Sequence, residues 1–370
     1  MPQVTIDQAL QTAWQFYQER KLREAEAIYR QILAQQPGEV RASYGLGLLA
    51  LEVRHPSAID LIRTALPVAG NQTEVLNNLG SAYQSQGQSR EALEWYRKAL
   101  VVNPNSALIL SNMAHALVTL GEREEAEKVS RRAIELDPNN ASAYNNLGTS
   151  ISATDRRADA EAAFRKALEL RPDFPEALSN LGNLVHDDGR YEQAISMFRR
   201  ATLLAPTLPD AYNNMSNSLR LLGRLDEAVA AARQALGLRP QFSAAHSNLG
   251  AALHQLRRFD EAIISLRQAI AIEPDMADTH VNLGLCLLLQ GKFTEGWREY
   301  EWRRQSPKFI RMERNQYLFH NCNRSVRFYQ HFAHSKRSHL YHCHESDHSI
   351  HHSEHYCISN KEHHNNDNLL

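Results

Sequence analysis

With 370 residues, 43% of them hydrophobic and 22% charged, the chain has ample material for a folded core, which excludes wholesale disorder. Its formal net charge of -1 excludes the basic surplus on which nucleic-acid binding rests, so no nucleic-acid partner is expected. Of the four cysteines, Cys322, Cys343 and Cys357 fall near the C-terminus, which argues against a disulfide framework and for a reducing, cytoplasmic setting.

Residues 1–5 form a short lead without the charged-then-apolar pattern of a signal peptide. The longest apolar stretch, 283–289, is far too short for a bilayer span, so no membrane partner is expected. Residues 6–39 read as a helical hairpin, with Ala13, Phe16, Ala25, Tyr29 and Pro37 in register. Residues 40–72 read as a degenerate hairpin with Leu46, Gly47, Ala58 and Ala65. It is one residue short, and the turn at His55-Pro56 is the expected place of the deletion. From residue 73 a strict period emerges: Pro104, Pro138, Pro172, Pro206, Pro240 and Pro274 stand 34 residues apart, the period of a helix–turn–helix repeat. Repeats therefore start near 6, 40, 73, 107, 141, 175, 209, 243 and 277, and run to 308.

Counting each repeat from its first residue, position 8 is small (Gly80, Ala114, Gly148, Gly182, Ser216, Gly250), and positions 20 and 27 are alanine from Ala92 and Ala99 to Ala262 and Ala269. Small residues there let two helices of a hairpin approach closely. Large ones at positions 7, 11 and 24, such as Leu147, Ile151 and Phe164, fill the space between them. Glycine at position 15 (Gly87, Gly121, Gly189, Gly223, Gly291) suits the left-handed end of the first helix. Asp155 and Arg257 replace it in two repeats, which predicts longer or looser turns there. The proline at position 32 stops the second helix. The fold expected is all-α: nine hairpins, eighteen helices, stacked as a right-handed solenoid.

These columns resemble the tetratricopeptide-repeat (TPR) superfamily over residues 6–308. The recurring NNLG and SNLG openings and the closing run Gly296-Trp297-Arg298-Glu299-Tyr300-Glu301-Trp302-Arg303 narrow the likeness. They resemble the repeat half of bacterial proteins in which TPRs precede a domain like that of the O-linked N-acetylglucosamine transferases, where such a run marks the junction. Residues 309–370 carry twelve of the eighteen histidines and no glycine or proline. No nucleotide-sugar site maps onto them, and their composition predicts a disordered, frameshifted or truncated tail. Without a polar capping helix, the last hairpin with Trp297 and Trp302 is expected to self-associate.

The resemblance implies that first helices line the concave face. Position 6 is asparagine in seven successive repeats: Asn78, Asn112, Asn146, Asn180, Asn214, Asn248 and Asn282; Gln11 and Gly45 stand in the first two. A carboxamide carries a donor and an acceptor and matches a peptide backbone whatever its side chains. Helices packed about 8–10 Å apart against a strand rising about 3.3 Å per residue give one asparagine per roughly three residues of an extended partner. The competing reading is that these amides satisfy nearby groups of the array itself. Position 5 alternates Asn77, Ser111, Asn145, Ser179, Asn213 and Ser247, so a polar, uncharged groove is expected. Tyr83, Tyr144 and Tyr212 are assigned to repeat packing.

Other signals carry less. Gly45-Leu46-Gly47-Leu48-Leu49-Ala50 has the letters of a dinucleotide fingerprint but lies inside a helix without a preceding strand. Tail residues such as His339, His342, Cys343, His344 and His348 offer ligands without a framework. No catalytic constellation emerges, so neither enzyme activity, cofactor nor metal is expected. The function expected is a scaffold that binds an extended polypeptide; the alternative is the substrate-recognition half of a glycosyltransferase whose catalytic domain lies outside this chain.

Overall fold

A computed structural model describes residues 5–69 and 73–306; the histidine-rich segment 309–370, and what the sequence predicts for it, lies outside the described residues. Among the described residues all regular structure is helical. The first three hairpins are α1 (Ile6–Gln18) with α2 (Leu22–Gln35), α3 (Val40–Glu52) with α4 (Ala58–Arg63) and α5 (Leu66–Ala69), and α6 (Thr73–Ser85) with α7 (Ser89–Val102). The next three are α8 (Ala107–Leu120) with α9 (Arg123–Leu136), α10 (Ala141–Ile151) with α11 (Arg157–Leu170), and α12 (Pro175–Asp187) with α13 (Tyr191–Leu204). The last three are α14 (Pro209–Leu221) with α15 (Leu225–Leu238), α16 (Ser243–Gln255) with α17 (Phe259–Ile272), and α18 (Ala277–Leu289) with α19 (Phe293–Tyr300). Residues up to Tyr300 form one compact unit; a second begins with the 3-10 turn Glu301–Gln305. Of the expected eighteen helices, only the second one of the second hairpin is split, into α4 and α5. Pro67 lacks an N–H and its ring would strike the carbonyl of Arg63. The chain instead tightens at Ala65, whose N–H bonds the Ile62 carbonyl at 3.0 Å.

The capping chemistry fits the sequence. Thr5 accepts from the Gln8 N–H while the Gln8 side chain accepts from the Thr5 N–H, a reciprocal cap. Ser106 and Asn140 cap α8 and α10, and Pro175 and Pro209 open α12 and α14 in place of a capping side chain. Between helices, the Arg190 N–H bonds the Val185 carbonyl at 2.9 Å, and the Arg258 N–H bonds Leu253 at 2.9 Å. The turn residue is Gly189 with φ 77° in the first case and Arg257 with φ 59° in the second. The Arg257 turn is thus no longer than a glycine turn and bears the steric cost of a left-handed arginine. At Asp155 the turn is indeed longer, because α10 stops at Ile151. In the short repeat the deletion follows Arg54, φ 55°, so Gly47 meets Ile62 one residue early.

Packing inside each hairpin rests on an exchange of volume between positions 8 and 24. A β-carbon on Gly148 would come within 2.7 Å of the Phe164 ring, and one on Gly80 within 2.5 Å of Tyr96. Where position 8 has a β-carbon, position 24 shrinks: Ala114 stands with Ser130 and Ser216 with Ala232, all fully buried. In the first hairpin Ala13 leaves no room for Tyr29, whose ring lies against Gly45 of the next repeat, 2.3 Å from where a β-carbon would sit. Gly45 therefore occupies the asparagine column for a packing reason.

Each first helix packs on the first helix of the next repeat, whereas second helices pack mainly on the first helices at either side. The first helices thus lie on the inside of the curve. Successive second helices are linked on the outside by exposed ion pairs, Arg97–Glu125, Arg199–Glu227, Arg233–Glu261 and Arg267–Glu295, each contributing about 0–1 kcal/mol.

Candidate functional site: the inner groove

The asparagine column lies on the inner face, and most of its Nδ2 donors point to the preceding repeat. Asn112 donates to Asn77 Oδ1 at 2.9 Å, Asn180 to Asn145 Oδ1 at 3.0 Å and Asn248 to Asn213 Oδ1 at 2.9 Å. Asn146, only 3% exposed, donates to the Ser111 backbone carbonyl at 2.9 Å. In these four bonds the acceptor stands 35 residues back, at position 5 of the preceding repeat. Asn78 reaches the Tyr44 hydroxyl at 2.7 Å, also at position 5. Where position 5 is Ser179, Asn214 turns instead to Asn183 Oδ1 at 2.8 Å. The asparagines at position 5 are therefore the acceptor half of an inter-repeat seam, to which Ser111 lends only its backbone carbonyl and Ser179 no acceptor. The Oδ1 atoms of Asn78 and Asn214 accept from Asn77 and Asn213. Those of Asn112, Asn180 and Asn248 receive no protein donor among the described residues. Asn282 is half-buried on the same face of α18.

The groove changes character along its length. At the N-terminal end a cleft of about 660 Å³ opens between α1, α3, α6 and α8, with Trp14, Tyr17, Leu51 and Leu108 among its lining. Trp14 is 40% and Leu108 61% exposed, and Trp14 stacks on Tyr17 with ring centres 5.3 Å apart. Glu52 and Glu74 border the cleft. Glu52 accepts from the Tyr17 hydroxyl at 3.1 Å and from Arg20 at 2.6 Å. Burial, reinforced by Glu52, raises the Tyr17 phenol above its ordinary value, so it remains a donor.

In the central groove the surface is polar. His186 on α12 bonds Ser218 through Nδ1 at 2.8 Å and Asn217 through Nε2 at 3.2 Å, both on α14. Arg220, one turn on, donates to Asn217 Oδ1 at 2.8 Å. Burial lowers the His186 pKa; Asp187 opposes the shift and Arg220 adds to it. Burial likewise lowers that of His254 on α16. An uncharged groove was expected from positions 5 and 6. Glu52, Glu74 and Arg220 sit at positions 13, 2 and 12, which that expectation did not weigh. Position 12 lies near positions 5 and 9 on one helix face, so this spacing was the available signal. Tyr83 and Tyr144 do serve packing: Tyr83 stacks on Trp95 with centres 6.4 Å apart and bonds Arg63, and Tyr144 joins the cluster around Phe174. Among the described residues no cluster of three or more potential metal ligands occurs and no helix is long and apolar enough to cross a membrane.

Family models described as tetratricopeptide repeat match residues 10–73, 73–106, 107–140, 140–171, 173–241 and 214–277. Comparison with curated protein sequences gives no match. Among solved structures the chain is similar to the APC/C hetero-tetramer Cut9–Hcn1, with a TM-score of 0.61 and 19% identity over 72% of this chain and 52% of that one. The chain thus spans about half the length of that neighbour. It is also similar to a monomeric IFIT1 mutant with m7Gppp-AAAA, with a TM-score of 0.55 and 15% identity over 82% of this chain and 72% of that one. YrrB, a TPR protein with an unusual peptide-binding site, aligns at 25% identity and a TM-score of 0.41 over 53% of this chain and 97% of that one.

Proposed function

From a chain that belongs to the tetratricopeptide-repeat family and is built as a protein-interaction scaffold, we propose that the inner groove holds an extended segment of a partner polypeptide. The observation that carries this is the half-satisfied amide column. Its donors hold the repeats together, while the side-chain oxygens of Asn112, Asn180 and Asn248 receive no protein donor among the described residues. Asn78, Asn146, Asn214 and Asn282 complete the column, in which Asn146 has the more structural part. Free acceptors suit the N–H groups of an extended backbone, each bond contributing about 0.5–1.5 kcal/mol. Affinity then comes from number, and the N-terminal cleft adds an apolar anchor.

The test keeps the inter-repeat seam intact. Peptides selected from a random displayed library are resynthesised with N-methyl groups at alternate residues, and the protein carries Leu108→Arg in the exposed wall of the cleft. Loss of about tenfold or more in affinity from either change is expected. Unchanged affinity with both changes sinks the groove reading.

A second reading has one observation in its favour, the run at 296–303: the array is the substrate-recognition half of a TPR-containing glycosyltransferase. Translation of the gene in all frames downstream of codon 308 decides it, because a continuing Gly-rich α/β pattern is required. Self-association is proposed through the last hairpin, where Leu289 is 60% and Phe293 55% exposed. Light scattering that shows a monomer at all concentrations removes it.

A further inference from the structure

The central groove contains a cation that the fold does not neutralise. Arg220 lies on the inner face of α14, one turn beyond Asn217. Its guanidinium makes one hydrogen bond, to Asn217 Oδ1 at 2.8 Å, and its Nε–H is sealed from solvent without an acceptor. Among the described residues no carboxylate pairs with it, and Tyr191 is the nearby group that favours its charge. Four arginines of the outer side are paired, Arg199 and Arg224 with Glu227 and Arg233 and Arg258 with Glu261; Arg171 shares the buried Nε–H of Arg220, but its guanidinium rests over the Phe174 ring. A half-buried guanidinium without a counter-ion costs stability, and a bound anion would recover it.

The surrounding hydrogen bonds run in one direction. The Ser218 hydroxyl donates to the Asn214 carbonyl at 2.9 Å, so its oxygen accepts from His186 Nδ1–H at 2.8 Å. His186 Nε2 then accepts from Asn217 Nδ2 at 3.2 Å, which leaves Asn217 Oδ1 turned to Arg220. The imidazole is thereby a neutral tautomer, and the chain from Ser218 to Asn217 aims a single positive charge. Asn217 uses one of its two oxygen lone pairs on the arginine; with the Nε–H sealed, the other terminal N–H groups of the guanidinium are the donors that suit a carboxylate in two-point contact.

We propose that Arg220, aimed by Asn217, His186 and Ser218, is the subsite for an acidic side chain of the extended segment that the groove holds. The inference rests on the groove reading above and adds an Asp or Glu at one place in the partner. A polypeptide is favoured over a nucleic acid because one cation among neutral amides cannot follow a row of phosphates. Glu52 and Glu74 further along the groove would repel them.

The experiment uses the full chain and a random displayed peptide library. Selection on the unmodified protein is expected to enrich one acidic position. Replacing that residue by its amide should weaken binding about tenfold or more. Arg220→Gln should produce the same loss for the acidic peptide and none for its amide form, and Arg220→Lys should recover part of it. Asn217→Asp, which gives the guanidinium an internal partner, should abolish the acidic preference even if Arg220→Gln folds poorly. Peptides enriched without an acidic position, or bound equally by Arg220→Gln, overturn this subsite and leave the groove reading standing. No enrichment of any peptide overturns both. Binding of a single-stranded homopolymer RNA that depends on Arg220, with no acidic peptide enriched, overturns the choice of partner.

Discussion

The N-terminal and central parts of the groove are built on the same backbone and differ in nearly everything a partner would touch. Around Trp14, Leu51 and Leu108 the wall is apolar with a carboxylate border. Around His186, Asn217 and Arg220 it is a polar chain ending in an uncompensated cation. In both, a glycine of a first helix makes room for a ring of the second helix, Gly80 for Tyr96 and Gly182 for Phe198. A repeat protein thus separates the positions that hold the stack from those that face outward from it, and the second set differs far more between the two ends.

The largest expected effect comes from breaking what the two regions share. Gly148→Leu would drive a side chain into the Phe164 ring. It should cost about 3 kcal/mol in chemical denaturation, with loss of binding at both ends. A smaller and more selective effect separates the ends. Trp14→Ala should weaken peptides anchored by an apolar residue about tenfold, as for a lost aromatic anchor, and leave purely polar peptides unaffected. Equal weakening of both classes in a binding titration would merge the two regions into one site.

The pH response should sharpen the contrast further. His115, His186 and His254 are lowered by burial, so the unfolded chain takes up protons that the folded chain resists. Stability from these groups is present above the ordinary histidine pKa and falls as pH drops through it toward the folded values. Hydrogen-exchange protection, corrected for intrinsic rates, should therefore fall between pH 7 and 5.5 in α8, α12, α14 and α16, with much less change in α1 and α3. In the opposite direction, Arg54→Gly releases a left-handed arginine and should stabilise the N-terminal repeats by about 0.5–1 kcal/mol, read as a raised Tm. The smallest effect belongs to the outer face. Arg97→Ala removes an exposed pair with Glu125 and should change stability by about 0.5 kcal/mol or less, without altering either end of the groove.

Much of the architecture was legible because the hairpin is a local object. The proline and alanine columns locate the helices, and the position-15 residues mark the turns. Two details were not. Arg257 adopts the left-handed turn without lengthening it, and the turn closes on Leu253 with the same bond that the Gly189 turn makes to Val185. Gly45 looked like a gap in the asparagine column and is space for the Tyr29 ring of the preceding repeat. The asparagines themselves were found by period alone, but what their amides do was not. Their partners at Asn77, Asn145 and Asn213 lie across a repeat boundary, at a spacing that no helix period announces.

The sequence by itself determined that this chain is a stack of helical hairpins, because a 34-residue period of small, large and helix-stopping residues admits one local solution. Only the tertiary structure decided which polar groups the stack consumes and which it leaves to a partner. That division depends on how far each hairpin is offset against the next. The offset carries Asn180 onto Asn145 and His186 onto Ser218, and leaves Arg220 with Asn217 Oδ1 as its acceptor and no carboxylate among the described residues.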